Sequence, residues 1–258
     1  MENYEGFKQK VFKLTKLDLN SYKEKQMKRR IESLIARRRI DNFDDYFKLI
    51  STDSEAFDEF INFLTINVSE FYRNDNQWAV LKSTIIPDIL ARNKRPKIWS
   101  AACSTGEEPY SLVMLMSDFM PLKDIKIFAC DFDTGAIAKA KAGIYTEKSI
   151  AKVPDTFKTK YFESTGRGIV KISDAVKAQV EFKKMNLLLD PYPQNYDLIV
   201  CRNVMIYFTD EAKDEMYRKF HDSLVPNGYL FVGSTEQIIQ PARYGFETDK
   251  TFFYKRKK

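Results

Sequence analysis

Apolar side chains recur along the first part of the chain at helical spacing. Met27, Ile31, Leu34 and Ile35 follow i, i+4, i+7, i+8, and Phe57, Phe60, Ile61 and Leu64 make a second stripe of the same kind. Residues 1–75 contain one glycine, Gly6, and no proline, so they predict a small all-helical N-terminal domain. The pattern then changes, with the boundary expected between residues 74 and 95. Short apolar runs over 97–100, 125–130, 196–201 and 229–233 alternate with helical patterns over 108–120, 134–142 and 210–224. Such alternation predicts an α/β domain over 76–258, built on a parallel sheet covered on both faces. Residues 143–181 break the rhythm with turn signals at Gly166 and at Arg167-Gly168. They predict a small antiparallel β-subdomain inserted at about 145–180. No internal repeat or low-complexity tract is present.

Composition narrows the class without deciding it. Of 258 residues, 44% are hydrophobic and 30% charged, which suits a soluble globular protein. No run reaches the roughly 18 apolar residues of a membrane span, so no membrane insertion is expected. The opening MENYEGFKQK is too polar for a signal peptide. Cys103, Cys130 and Cys201 are odd in number, widely spaced and without a CxxC pair. They read as reduced core thiols of a cytoplasmic protein rather than disulfides or metal ligands. The single histidine, His221, lies late in a helical pattern. A histidine triad or multi-histidine metal site would rest on that one residue, so the chemistry expected here needs little proton transfer and no metal.

The stretch IWSAACSTGEEPYSL, residues 98–112, carries the first chemical signal. It runs from a buried strand through small residues to Gly106 and then into a helix. Open parallel sheets bind ligands at the carboxyl ends of their strands, and small residues there let a ligand approach the backbone. The second strand, IKIFAC, runs directly into Asp131, 25 positions after Gly106. An acid at that place accepts hydrogen bonds from ribose hydroxyls. A dinucleotide, however, needs the GxGxxG fingerprint, and Ala102 and Ser104 stand where glycines are expected. Glu107 and Glu108 would also repel a phosphate. A ribose joined to a cationic group answers both features, and S-adenosylmethionine has them in its ammonium and sulfonium. A tight turn with two glutamates stabilised by the helix dipole is the plainer alternative.

Other strand ends add polar groups. Met185-Asn186-Leu187-Leu188 follows a strand-like Val180–Phe182, and Cys201-Arg202-Asn203-Val204-Met205-Ile206-Tyr207-Phe208 follows DLIV. An asparagine cap before a core aromatic would also produce the second pattern. Together, WSAACSTGEEPYS, the TINVSEFYR segment at 65–73 and CRNVMIYF at 201–208 resemble the bacterial chemotaxis receptor methyltransferase family, CheR, and are closest to its Bacillus-type members. The resemblance covers essentially the whole chain. It implies an all-helical N-terminal domain, a Rossmann-like S-adenosylmethionine-dependent methyltransferase domain and an inserted antiparallel β-subdomain.

The resemblance further implies methyl transfer from S-adenosylmethionine to glutamate side chains of chemoreceptors, leaving S-adenosylhomocysteine. It places cofactor contacts at Asn67, Ser69, Arg73, Glu108, Asp131, Asn186, Leu187, Arg202 and Asn203, with Glu107 a neighbour of Glu108. Asp131 would hold the ribose. Residue chemistry alone reads Asn67 and Ser69 as helix caps and Arg73 as a surface charge. Because a glutamate is already ionised near neutral pH, the reaction needs alignment rather than a base. Arg73 and Tyr207 are the candidates to steer the carboxylate.

The stretch 22–39, YKEKQMKRRIESLIARRR, carries eight Lys or Arg against two Glu, a surplus equal to the formal +6 of the whole chain. A solvated face explains such a run, and so does docking on the acidic cytoplasmic helices of a receptor. In the family some members also grip a C-terminal receptor tether with the β-subdomain. The turn at 163–169 is shorter than in those members, so no tether is expected to be needed. A nucleic-acid substrate also fits a basic chain, but no NPPY or DPPY motif follows the DLIVC strand.

Overall fold

In the computed structural model, which describes residues 3–257, the chain divides into two compact units. One comprises Met1–Asn67 with Met205–Glu215, the other Val68–Val204 with Met216–Lys258. The chain first crosses between them at Asn67/Val68, inside the TINVSEFYR segment. It crosses back for Met205–Glu215, an excursion that linear patterning does not reveal.

The first unit is helical, with α1 (Tyr4–Thr15), α2 (Glu24–Arg37), α3 (Phe43–Thr52) and α4 (Ser54–Thr65). Asn42 caps α3 by accepting the Asp45 N–H, and Asp53 caps α4 by accepting the Glu55 and Ala56 N–H groups. The predicted stripes face inward: Met27, Ile31, Leu34, Ile35, Phe60, Ile61 and Leu64 are buried, while Phe57, at the start of the second stripe, is only half-buried. Phe7 and Phe43 fill the centre with ring centroids 5.0 Å apart. The Met205–Glu215 segment joins this unit through backbone. Lys23 N–H donates to the Tyr207 carbonyl and Thr209 N–H to the Ser21 carbonyl, both at 2.9 Å, and the Tyr22 and Phe208 rings meet edge to face.

The second unit is built on a seven-stranded sheet. Its helices and strands run α5 (Asp75–Val80), α6 (Ile86–Arg92), β1 (Ile98–Ala101), α7 (Glu107–Met116), β2 (Ile127–Asp131) and α8 (Thr134–Ala142). The inserted part follows with β3 (Ile144–Thr146), α9 (Asp155–Tyr161), β4 (Phe162–Gly166), β5 (Ile169–Ile172) and α10 (Asp174–Lys177). The sheet then resumes with β6 (Val180–Lys184), β7 (Tyr196–Cys201), β8 (Leu224–Val232), β9 (Phe246–Lys250) and β10 (Phe253–Arg256), with α11 (Asp210–Ser223) between β7 and β8. Strand order is β6-β2-β1-β7-β8-β10-β9. The first five are parallel, and β10 and β9 add an antiparallel edge that the apolar runs did not predict. Their outer residues are polar, as an edge tolerates and a central strand does not.

The insertion is antiparallel as expected, in the order β3-β5-β4, with β4 and β5 joined by the two-residue turn Arg167-Gly168. The helix expected over 108–120 ends at Met116, where tighter turns take over. All ten residues of α7 are buried, glutamates included, so its sequence shows little of the usual amphipathic stripe. Among the described residues no helix is long and apolar enough to cross a membrane.

Candidate functional site

The chain moves from β1 outward to β2 and β6, then returns to place β7 and β8 on the other side of β1. That reversal, between β1 and β7, opens a crevice at the strands' carboxyl ends, where α/β sheets bind ligands. The turn leaving β1 lies there. Ala102, Ser104 and Gly106 all have positive φ, at 69°, 48° and 96°. A side chain on Gly106 would be strained, and its Cβ would fall 2.8 Å from the Ala140 Cβ of α8. Backbone hydrogen bonds hold the coil: Cys103 N–H to the Cys130 carbonyl at 2.8 Å, and Gly106 N–H to the Cys103 carbonyl at 3.0 Å. Tyr145 adds its hydroxyl to the Thr105 carbonyl at 2.8 Å.

Glu108 points from the first turn of α7 into the buried interior. Its Oε1 accepts from the Ser100 hydroxyl at 2.8 Å, and its Oε2 lies 3.5 Å from Nη1 of Arg202. Burial pushes its carboxyl up to about 7, although Arg202 and Ser100 pull the other way. Glu107 instead accepts from the Thr105 hydroxyl at 2.7 Å.

Arg202 follows β7 and is held on several sides. One guanidinium nitrogen donates to the Arg73 carbonyl at 2.7 Å, Asn74 Oδ1 at 3.0 Å and Gln77 Oε1 at 2.9 Å. The group also stacks over Trp78 and Phe231, 5.9 and 4.7 Å from their ring centroids. The sequence did not single out Asn74, Gln77 or Trp78. They lie about 125 residues before Arg202, and no local pattern signals that meeting.

Asp131 ends β2 with both carboxylate oxygens already accepting backbone N–H groups. Oδ2 takes Ser104 N–H at 2.8 Å and Oδ1 takes Asp133 N–H at 3.0 Å. Burial raises its pKa, and those two N–H groups oppose the rise. Asp131 therefore shapes the turn, and each oxygen keeps a second lone pair for a hydroxyl. Its carbonyl receives Met185 N–H at 2.9 Å, which brings the 185–188 segment alongside. In that segment Asn186 Oδ1 accepts Leu188 N–H, and the Leu187 carbonyl accepts the Tyr192 hydroxyl and Lys219 Nζ.

The remaining expected residues lie as follows. Arg73 contributes its carbonyl to Arg202, while its guanidinium donates to the Val68 carbonyl at 3.2 Å. Ser69 sits half-buried on the same irregular segment. Asn67 and Tyr207 belong to the helical unit, Asn67 donating to the Thr65 hydroxyl at 3.1 Å. Asn203, beside Arg202, has a positive φ of 60°, and its Oδ1 is buried without a partner among the described residues. An orphaned acceptor next to buried acids fits S-adenosylmethionine, which offers ammonium and adenine N–H donors and carries net positive charge at its reactive end.

Comparison with known proteins decides the family. Residues 67–252 match the model described as "CheR methyltransferase, SAM binding domain", and residues 2–65 match "CheR methyltransferase, all-alpha domain". The chain belongs to the CheR methyltransferase family. A "Chemotaxis protein methyltransferase" of Listeria innocua is 42% identical over 239 residues, covering 92% of this chain and 91% of that one. The protein of the same name from Borreliella burgdorferi is 31% identical, with 88% of each chain covered. "Chemotaxis protein methyltransferase 1" of Pseudomonas aeruginosa is 31% identical, covering 92% and 90%. This CheR-family chain is accordingly an S-adenosylmethionine-dependent methyltransferase, and the crevice between β1 and β7 lies within the segment matched by the S-adenosylmethionine-binding domain.

Proposed function

We propose that the chain transfers the methyl group of S-adenosylmethionine to glutamate side chains of chemoreceptors, forming methyl esters for chemotactic adaptation. One observation carries the proposal: two buried acids, Glu108 and Asp131, occupy the strand-end crevice where a nucleotide-binding sheet would present phosphate-binding groups. Bound there, S-adenosylmethionine supplies a methyl carbon on sulfonium; the substrate oxygen bonds to that carbon while the C–S pair returns to sulfur. Glu108 offsets the positive charge of the ligand, and Asp131 receives ribose hydroxyls on its spare lone pairs. Asn67, Ser69, Arg73, Asn186, Leu187, Arg202 and Asn203 complete the proposed contact set.

A substrate glutamate arrives ionised and needs no base. What it needs is alignment, which the Tyr207 hydroxyl and the Arg73 guanidinium supply in this proposal, each holding one carboxylate oxygen. The basic face of α2 and its flanks docks the acidic receptor helices. Within that face Arg38 is already bound to Glu59, Arg30 and Arg37 lie over Phe63 and Lys28 over Tyr4, so Lys23, Lys25, Arg29 and Arg39 are the exposed charges left to meet a partner. The two-residue β4–β5 turn supports docking without a C-terminal tether. The proposed compartment is the cytoplasm, where the three buried free thiols stay reduced.

Radiolabelled S-adenosylmethionine offered with receptor membranes, with tether-deleted receptor, with nucleic acid and alone tests this reading. Base-labile label on both receptor forms is expected. Label on nucleic acid overturns it, and label lost with the tether overturns the docking assignment.

A further inference from the structure

Glu236 lies just beyond β8, outside every motif that the sequence marks, and is buried to 6% exposure. A single oxygen, Oε2, accepts two backbone N–H groups, from Asn203 at 2.5 Å and from Gly233 at 2.9 Å. The ladder between β7 and β8 ends at the pair Cys201↔Val232. The Glu236 carboxylate therefore supplies the next link between the two chains, where the strands themselves have stopped pairing.

Two further features sit at the same point. Asn203 is in the left-handed region, which costs a non-glycine residue energy unless its surroundings impose it. Gly233 leaves room for the carboxylate, since a Cβ there would fall 2.5 Å from Oε2 and 2.9 Å from the Asn203 nitrogen. A plain turn cap accounts for the bonds between Glu236 and Gly233, three residues apart. It does not account for the reach to Asn203, 33 residues away. The side-chain oxygen of that same Asn203 is buried without a partner among the described residues.

We infer that Glu236 is a positioning residue of the cofactor site, holding Asn203 in its left-handed conformation so that the Asn203 amide oxygen meets an N–H donor of bound S-adenosylmethionine. This rests on the reading of Asn203 as a cofactor contact. A carboxylate suits the task because an anionic acceptor holds two N–H donors more firmly than a neutral one. Arg202 lies within range of its charge and offsets the burial, while the same charge opposes ionisation of Glu108.

The test uses the full chain and calorimetric titration with S-adenosylmethionine. Glu236→Ala is expected to weaken binding by about tenfold, the loss of one charge-assisted hydrogen bond. Glu236→Gln, which keeps an acceptor oxygen, should recover affinity to within about threefold of wild type. In Asn203→Ala the further change Glu236→Ala should cost nothing more, because Glu236 acts through Asn203. Independently of any variant, cofactor should shift the NMR signal of the Asn203 side-chain amide, a readout that survives if Glu236→Ala does not fold. Wild-type affinity in folded Glu236→Ala overturns the inference, as do a glutamine variant as weak as alanine, additive losses in the double variant, or an unmoved Asn203 signal. Wild-type protein that fails to bind S-adenosylmethionine overturns the cofactor reading itself.

Discussion

Arg202 and Glu108 face each other at the point where the sheet reverses, Nη1 to Oε2 at 3.5 Å, both buried. The pair is not symmetric. Arg202 has carbonyl and amide acceptors on its other side and two rings beneath it, whereas Glu108 has, among the described residues, only the Ser100 hydroxyl besides. Glu108 is thus the member whose charge is least supported by the fold and most available to a cationic ligand.

That asymmetry predicts a pH dependence. Burial raises Glu108 from 4.5 to about 7, and a cationic ligand favours its ionised form. Affinity for S-adenosylmethionine should therefore rise with pH through about 7, with protons released on binding near neutrality. Affinity at about pH 8 should exceed that at about pH 6 by about tenfold, the scale of a one-unit shift, and Glu108→Gln should flatten the profile. Fold stability runs the other way. The folded pKa lies above the unfolded one, so this contribution is present below about 4.5 and is lost as pH rises to about 7. Calorimetry in buffers of different ionisation heat measures the proton release.

Asp131→Ala should weaken cofactor binding by about 1–3 kcal/mol, the cost of losing a charged acceptor. The same change frees the Ser104 and Asp133 N–H groups, so the β1–α7 turn should exchange its amides faster. Hydrogen exchange beside titration calorimetry checks both; unchanged affinity in a folded variant removes Asp131 from the site.

For Tyr207 the expectation separates two steps. Tyr207→Phe should lower kcat by about tenfold or more and leave cofactor affinity within about twofold, because its hydroxyl is assigned to the substrate carboxylate. Arg73→Ala should lower both. Normal turnover in Tyr207→Phe would leave that ring a packing residue on the segment joined to Ser21 and Lys23.

Charge reversal at Lys25 and Arg29, one helical turn apart on α2, should raise the KM for receptor by several-fold without changing cofactor affinity. The wild-type KM should climb with salt, and the variant's should climb less. Arg38 is a poor probe, because Arg38→Glu would also set two carboxylates together by breaking the pair with Glu59. Steady-state kinetics at two ionic strengths decides the point.

Much of the fold was legible because its signals are local. The apolar runs at 97–100 and 196–201 mark central strands, and the stripe at Met27, Ile31, Leu34 and Ile35 marks a buried helix face. The Glu108 and Asp131 positions were legible for a related reason, since a strand end followed by an acid has a meaning in this sheet topology. The β9–β10 edge was not legible: its exposed residues are charged, and its pairing depends on distant β8. Gln77 and Glu236 were not legible either, as each gains its role only by meeting β7's outgoing chain across a large sequence separation. The membership of Met205–Glu215 in the helical unit arises from contacts with residues 21–23 that no periodicity encodes.

The most direct measurement is peptide mass spectrometry of a chemoreceptor cytoplasmic fragment after incubation with the purified chain and S-adenosylmethionine. The account predicts a mass gain of one methylene on glutamates of the fragment's helices, dependent on both protein and cofactor and removed by mild base. A modification that resists base, one that maps to another residue type, or none at all on a folded fragment would contradict it.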